Sequence, residues 1–370
     1  MSPQRLVFVG TYTEPILFGT GQVLQGKGRG IYAFRLDGAT GALRPCGLTE
    51  GVRNPSYLAF HPSRRFLYAV NEFKEFEGEA SGAISAFALD AQSGDLALLN
   101  VKATHGTDPC HLTVHPAGRF VLVANFASGS VCVLPIQADG SLGDASHVVQ
   151  HHGSSVDPVR QKGPHAHAVT FDAAGRYLFV PDLGLDKVLI YRFDAQQGRL
   201  TPGDTPWVET APGAGPRQVV FHPGGAFAYL INELDSTMTA FRYDAERGAL
   251  EPLQTLSTLP ADFAGRSTCA EVQIAPSGAY LYGSNRGHDS IATMGVDPAT
   301  GMIAPLAWQP TQGSYPRNFY LSPGGDWILV ANQKGDNIVS YRVDAATGRL
   351  APTGHALSVS MPVCLLPARC

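Results

Sequence analysis

A short β-rich run that ends in Asp, with Gly four residues later, recurs through the chain. Ile31-Tyr32-Ala33-Phe34-Arg35-Leu36-Asp37 is followed by Gly41, and Ile84-Ser85-Ala86-Phe87-Ala88-Leu89-Asp90 by Gly94. The same spacing joins Asp194 to Gly198, Asp244 to Gly248, Asp297 to Gly301 and Asp344 to Gly348. A weaker copy, starting at Val131, ends near Asp139-Gly140. A second anchor precedes most copies: Pro, a strand, a turn built on Pro or Asp with Gly, then a strand ending in Asn or Asp. It runs from Pro55 to Asn71, Pro109 to Asn125, Pro164 to Asp182, Pro216 to Asn232, Cys269 to Asn285 and Pro316 to Asn332. A period of about fifty residues in an all-β chain predicts the blades of a propeller. Seven units use up residues 1–370, so the expectation is one all-β domain, a seven-bladed β-propeller.

Each unit reads as four antiparallel strands. The first is short and apolar, as in Tyr57-Leu58-Ala59-Phe60. A turn such as His61-Pro62-Ser63-Arg64 or His222-Pro223-Gly224-Gly225 follows, with Pro setting φ and Gly supplying the reversal. The fourth strand is the most polar and lies outermost. The ends make no complete blade alone. Leu6-Val7-Phe8-Val9-Gly10-Thr11-Tyr12 looks like a second strand without a first. Met361-Pro362-Val363-Cys364-Leu365-Leu366 looks like a first strand without a second. Paired, with the C-terminal strand innermost, they close the ring and leave no open edge.

Composition agrees. Only 16% of residues are charged, while Gly (41) and Pro (27) are abundant, which suits many short strands and tight turns. The formal net charge is −4 and no basic block stands out, so neither nucleic acid nor an anionic membrane is an expected partner. No stretch approaches the roughly twenty apolar residues of a membrane span. The apolar stretch near Met1 is too short for a signal sequence and runs into the first strand. Cys46, Cys110, Cys132, Cys269, Cys364 and Cys370 form no CxxC pair and match no zinc spacing, which reads as reduced thiols in a cytoplasmic protein. The sequence leaves the oligomeric state open, monomer or small homo-oligomer.

Hairpin wiring sorts residues by face. The start of the first strand and the end of the second share one edge of a blade; the turn between them lies at the other. One funnel mouth therefore carries Asn71-Glu72, Cys110-His111, Asn125, Pro164-His165-Ala166-His167, Asp182, Pro216-Arg217, Asn232-Glu233, Ala270-Glu271, Asn285-Arg286, Pro316-Arg317-Asn318 and Asn332. The opposite edge carries His61, His115 and His222, each before Pro, and these read as turn-fixing residues. The recurring Asn or Asp at the end of the second strand is partly structural, able to bond the next loop. The residues that do not recur are more informative: His165 and His167, Glu72 and Glu233, Arg286, and the Arg217 and Arg317 that share one blade position.

Histidine, carboxylate and arginines at one mouth suit an anionic ligand with a general acid or base. The rival reading is a solvated rim of mutual salt bridges. The ring sets three arginines among its acids, which disfavours a dication, so neither metal nor cofactor is expected. No Gly-x-Ser-x-Gly elbow and no phosphate-binding glycine loop occurs. Gly19-Thr20-Gly21 and Gly26-Lys27-Gly28-Arg29-Gly30 lie in a long loop, residues 14–30, read as a flap over the funnel with Lys27 and Arg29 as possible ligand contacts.

Gly10-Thr11-Tyr12-Thr13, Asn54-Pro55-Ser56-Tyr57-Leu58 with Asn71-Glu72, Gly163-Pro164-His165-Ala166-His167, Val180-Pro181-Asp182-Leu183-Gly184, Gly215-Pro216-Arg217, Asn232-Glu233-Leu234 and Ser284-Asn285-Arg286 together resemble the seven-bladed propeller lactonase family. That family contains bacterial 6-phosphogluconolactonases and fungal 3-carboxy-cis,cis-muconate lactonizing enzymes. The resemblance covers essentially the whole chain and implies lactone chemistry without a metal. It implies catalytic roles for Arg217, Glu233, Arg286 and one of His165 and His167. Asn71, Glu72, Asp182, Asn232, Asn285, Arg317 and Asn332, from the same mouth, are the expected substrate contacts.

The leading expectation is hydrolysis of a sugar-acid lactone, foremost 6-phosphogluconolactone. Arg217 and Arg286 would hold the anionic group or developing oxyanion, and Glu233, assisted by a histidine, would activate water. An arginine beside Glu233 would weaken it as a base, which leaves the histidine as the alternative base. A cycloisomerase of carboxymuconate-type lactones is the second reading, and a non-catalytic scaffold the third. The long loop at residues 14–30 departs from shorter family members and leaves substrate identity open.

Overall fold

Each repeated Asp is a turn-maker. Asp37 Oδ1 accepts the N–H groups of Ala39 and Thr40, and the Gly41 N–H returns to the Asp37 carbonyl. The same pattern recurs at Asp90, Asp194, Asp297 and Asp344, and its side-chain bonds recur at Asp244. The glycines sit in the left-handed region, with φ from 63° at Gly198 to 86° at Gly94. All but Gly94, which meets Leu6, also sit against an aromatic ring of the preceding blade: a Cβ on Gly248 would lie 2.3 Å from the Tyr177 ring, and one on Gly301 2.3 Å from Phe227. Glycine is therefore required twice, for φ and for space.

A computed structural model describes residues 5–17 and 21–368. It contains seven four-stranded antiparallel sheets. Blade one comprises strands a (Pro55–Phe60), b (Phe66–Asn71), c (Ala83–Leu89) and d (Leu96–Ala103). Blades two to six follow over residues 109–150, 170–209, 216–257, 268–310 and 316–358. The seventh closes the ring in the expected way: Pro362–Pro367 is innermost, then Arg5–Thr11, Gly30–Leu36 and Leu43–Glu50. Val9 pairs with Leu365 and Phe8 with Leu366. The b strands are buried throughout in blades one to four and six, and the d strands face solvent. The core fills the gaps between neighbouring blades. Leu6, Phe8 and Ile31 of the closing blade, for example, pack on Leu58, Leu67 and Phe87 of blade one.

Three local features aim side chains inward. In blades one, two, four and six the a–b register slips just after the leading proline, at Pro55/Tyr57, Pro109/His111, Pro216/Gln218 and Pro316/Asn318. The bulged residue at that slip is Ser56, Cys110, Arg217 or Arg317, released from the ladder. Blade five slips between Cys269 and Val272, which releases Ala270 and Glu271. Blade three goes further, and here the expected strand from Pro164 is shortened to Thr170–Phe171. Pro181 on the facing strand has no N–H to give to a ladder, so only Ala166 bridges across, to Asp182. His165 and His167 sit in that loosened segment.

The His-Pro turns are structural, as expected. His61 Nε2 donates to the Gly118 carbonyl at 2.8 Å, and His115 Nε2 to Gly175 at 3.1 Å, each linking a turn to the next blade. His61→Ala is expected to lower folding stability by about 1 kcal/mol, read by urea denaturation, with no change at the opposite mouth. A loss beyond twice that would mean the turn does more than link two blades.

The long loop at residues 14–30 forms a small hairpin, Ile16–Leu17 with Val23–Leu24. Lys27 pairs with Asp336 at 3.1 Å and Arg29 with Glu50 at 2.8 Å, both at the surface. Neither reaches the funnel cavity, which corrects the expectation of ligand contacts there. Gly19, Thr20 and Cys370 lie outside the described residues. Cys46, Cys110, Cys132, Cys269 and Cys364 are free thiols.

Candidate active site

At the mouth formed by the ends of the b strands opens a cavity of about 270 Å³. Its walls include Glu72, Asp108, Cys110, Phe126, Arg160, His165, His167, Glu233, Arg286, Tyr315 and Arg317, with Ile16, Leu17 and Gln22 from the residue 14–30 hairpin. The cavity opens on the face that hairpin wiring marks out.

Glu233 is the electrostatic centre. It follows the last residue of strand b in blade four (Phe227–Asn232) and is only 4% exposed. Its Oε2 accepts from Arg217 Nε at 3.0 Å and its Oε1 from Arg160 Nη2 at 2.7 Å, while Arg286 Nη2, which donates to the Cys269 carbonyl at 2.6 Å, forms an ion pair with Oε2 at 2.8 Å. Burial alone would raise the carboxyl pKa, but Arg286, Arg160 and Arg217 outweigh it and hold the group ionised, well below the usual range. Three guanidiniums against one carboxylate leave net positive charge facing the cavity.

The arginines are not equivalent. Arg286 and Arg160 line the cavity. Arg217 lies beneath, against a smaller void with Tyr57, His111 and Glu271, and donates to the Ala270 carbonyl. Burial, and then the neighbouring Arg286, push its pKa down to about 10. Its placement corrects the expectation that Arg217 contacts substrate directly: it positions Glu233 from below. Arg160 was invisible to the repeat. It comes from the connector between blades two and three, held by Gln161 Nε2 donating to the Leu183 carbonyl at 2.9 Å and to Asp186 at 2.8 Å. The only sequence sign was a long connector entering at the mouth.

The two histidines separate. His167 is buried, with Nε2 3.8 Å from Glu233 Oε2. Burial first, then Arg217, holds it well below the usual imidazole range, so it is neutral. His165 is half-buried, stacks on Phe126 with ring centres 4.7 Å apart, and donates from Nδ1 to the Phe126 carbonyl at 3.0 Å.

Of the expected substrate contacts, Glu72 and Arg317 reach the cavity. Both are buried, and Arg317 forms no ion pair or hydrogen bond among the described residues, lying 5.5 Å from the Tyr12 ring. The other five do not, which corrects that expectation. Asn71 Nδ2 donates to the Arg53 carbonyl, Asn285 Nδ2 to Thr258, and Asn332 Nδ2 to Thr311. Asn232 bonds Thr237 and Thr239. Asp182 pairs with His151 at 2.7 Å and accepts the His165 and Gly184 N–H groups. The strand-end amide is committed to the connector that enters its blade (Asn71, Asn285, Asn332) or to the strand that follows (Asn232), while the next residue, Glu72, Glu233 or Arg286, lines the cavity.

At the rim, Lys74 pairs with Asp108. Lys334 is exposed, with its ammonium 4.0 Å from the Tyr315 ring and no acidic partner among the described residues. Among the described residues no cluster of three or more His, Cys, Asp or Glu is placed to hold a metal.

Comparison with known proteins fits this geometry. The family model for seven-bladed β-propeller lactonases matches residues 6–367. A 6-phosphogluconolactonase of Bacillus subtilis is 35% identical over 312 residues, covering 84% of this chain and 83% of that protein. One from Formosa agariphila is 31% identical over 324 residues, covering 85% of each. The structure of a periplasmic gluconolactonase from Pseudomonas aeruginosa superimposes with a TM-score of 0.91 at 36% identity over 99% of both chains.

Proposed function

The chain belongs to the seven-bladed β-propeller lactonase family, and from that premise we propose that it hydrolyses 6-phosphogluconolactone to 6-phosphogluconate. The observation that carries this reading is the buried Glu233, shared by three guanidiniums beside a neutral His167 at the floor of one cavity.

Arg286 and Arg160 are the donors for the developing oxyanion. They are fixed by Glu233 before substrate arrives, so little reorganisation is needed as charge builds, and removing one such donor typically costs about 10²–10³ in rate. Water sits beside His167, which takes its proton as oxygen attacks the carbonyl carbon. Glu233 is too well neutralised to be a good base itself. Its role is to orient the arginines and stabilise the imidazolium formed at His167.

Lys334 supports a phosphorylated substrate, because it is a free ammonium at the rim above Tyr315. The reading also implies work in the cytoplasm, where sugar phosphates are made.

A pH-indicator assay comparing 6-phosphogluconolactone with plain glucono-, galactono- and xylonolactones, with and without EDTA, tests the proposal. The expected result is turnover that EDTA does not change, with the highest kcat/KM on the phosphorylated lactone. Equal rates on plain gluconolactone would exclude phosphate recognition. No turnover on any lactone would turn attention to carboxymuconates, followed by ultraviolet absorbance.

A further inference from the structure

The cavity has a second buried carboxyl with opposite surroundings. Glu72 follows strand b of blade one (Phe66–Asn71), across the ring from Glu233 in blade four. Its Oε2 accepts the Tyr12 hydroxyl at 3.0 Å, and it makes no ion pair among the described residues. Glu233, by contrast, is clasped by three guanidiniums. The other carboxylate on the wall, Asp108, is occupied by Lys74.

Resting on the lactone-hydrolase reading, we propose that Glu72 is the proton donor to the ring oxygen of the lactone. Water adds its oxygen to the carbonyl carbon and gives one proton to His167. When the tetrahedral intermediate collapses, the bond between that carbon and the ring oxygen breaks, and the Glu72 proton passes to the departing oxygen. The product is the open hydroxy acid. The proton on His167 returns by way of solvent to Glu72, and the new carboxylic acid releases its own proton to water. Both carboxyls and the histidine are then as they began.

The surroundings shift Glu72 towards its protonated form. Tyr12 faces it from the closing blade, Arg317 from blade six, and Asp108 and Cys110 from blade two. Burial raises its pKa most; Arg317 and the Tyr12 hydrogen bond lower it only in part, and Asp108 adds to the rise. A carboxyl with a raised pKa facing one held ionised in the same cavity is the arrangement that separates acid from base roles. As pH rises through the pKa of Glu72 the donor is lost, so the rate falls on the alkaline side.

The test is kcat/KM against pH on 6-phosphogluconolactone, after subtracting uncatalysed hydrolysis, for wild type, Glu72→Gln and Tyr12→Phe. Glu72→Gln is expected to lose about 10²-fold in kcat at neutral pH and to lose the alkaline fall. Tyr12→Phe removes a hydrogen bond that favours the carboxylate, so its alkaline fall should move to higher pH. An unchanged rate in Glu72→Gln overturns the proposal. So does a reduced rate with the alkaline fall intact, which would belong to another group, such as Arg217. If Glu72→Gln does not fold, Tyr12→Phe decides alone, and an unmoved alkaline limb overturns the role. A wild type inactive on every lactone would instead sink the lactonase reading itself.

Discussion

Glu233→Gln is expected to lose about 10³-fold in kcat and about 3–5 kcal/mol of folding stability, the range for breaking a buried ion pair from one side. The carboxylate takes hydrogen bonds from Arg160 and Arg217 and forms an ion pair with Arg286, all within 3.0 Å. Glutamine keeps the shape but not the charge. Its amide also places N–H groups where one of the guanidiniums now donates. Three arginines then share a buried site with no anion, and the oxyanion donors lose their fixed orientation.

The pH dependence of the wild type follows from the same cluster. The folded pKa of Glu233 lies well below its ordinary value. A depressed carboxyl contributes stability that is present above the unfolded pKa, about 4.3, and is lost as pH falls through the lower folded value. Urea unfolding at several acid pH values should therefore show the gap between wild type and Glu233→Gln narrowing below the ordinary carboxyl range. A variant that folds as well as wild type and keeps more than a tenth of its kcat would remove Glu233 from the centre of this account.

His167→Asn is expected to lower kcat by about 10²–10⁴ with KM little changed, whereas His165→Asn should cost less than about tenfold. The difference comes from placement. His167 is buried 3.8 Å from Glu233, and His165 is stacked at the wall on Phe126 with Nδ1 committed to a backbone carbonyl. Burial and then Arg217 keep His167 neutral well below pH 6.5, while Glu233 works in the other direction and stabilises the imidazolium once a proton arrives. Wild-type kcat/KM should accordingly show no acid limb near the ordinary imidazole value of about 6.5, falling only at lower pH. Larger losses in the His165 variant, or an acid limb in the ordinary histidine range, would reassign the base.

The sequence by itself determined the ring and which residues gather at the mouth that holds the cavity. The Asp and Gly repeat is a local turn whose hydrogen bonds reach no further than four residues, so its spacing survives in six of the seven blades. Strand pairing within a blade is also between neighbours in sequence. The location of Glu72, Glu233, Arg286, His165 and His167 at one mouth followed from that wiring. Depth and direction did not. The repeat treats Asn232 and Glu233 alike as strand-end residues, yet the first turns out to brace the strand that follows and the second turns in. It places Arg217 and Arg317 at one equivalent bulge, but only Arg317 faces the main cavity, because Arg217 is drawn under Glu233. Arg160 comes from a connector with no repeat partner. These outcomes depend on contacts between blades far apart in sequence. They are decided by how closely seven sheets pack around one axis, which no local periodicity records.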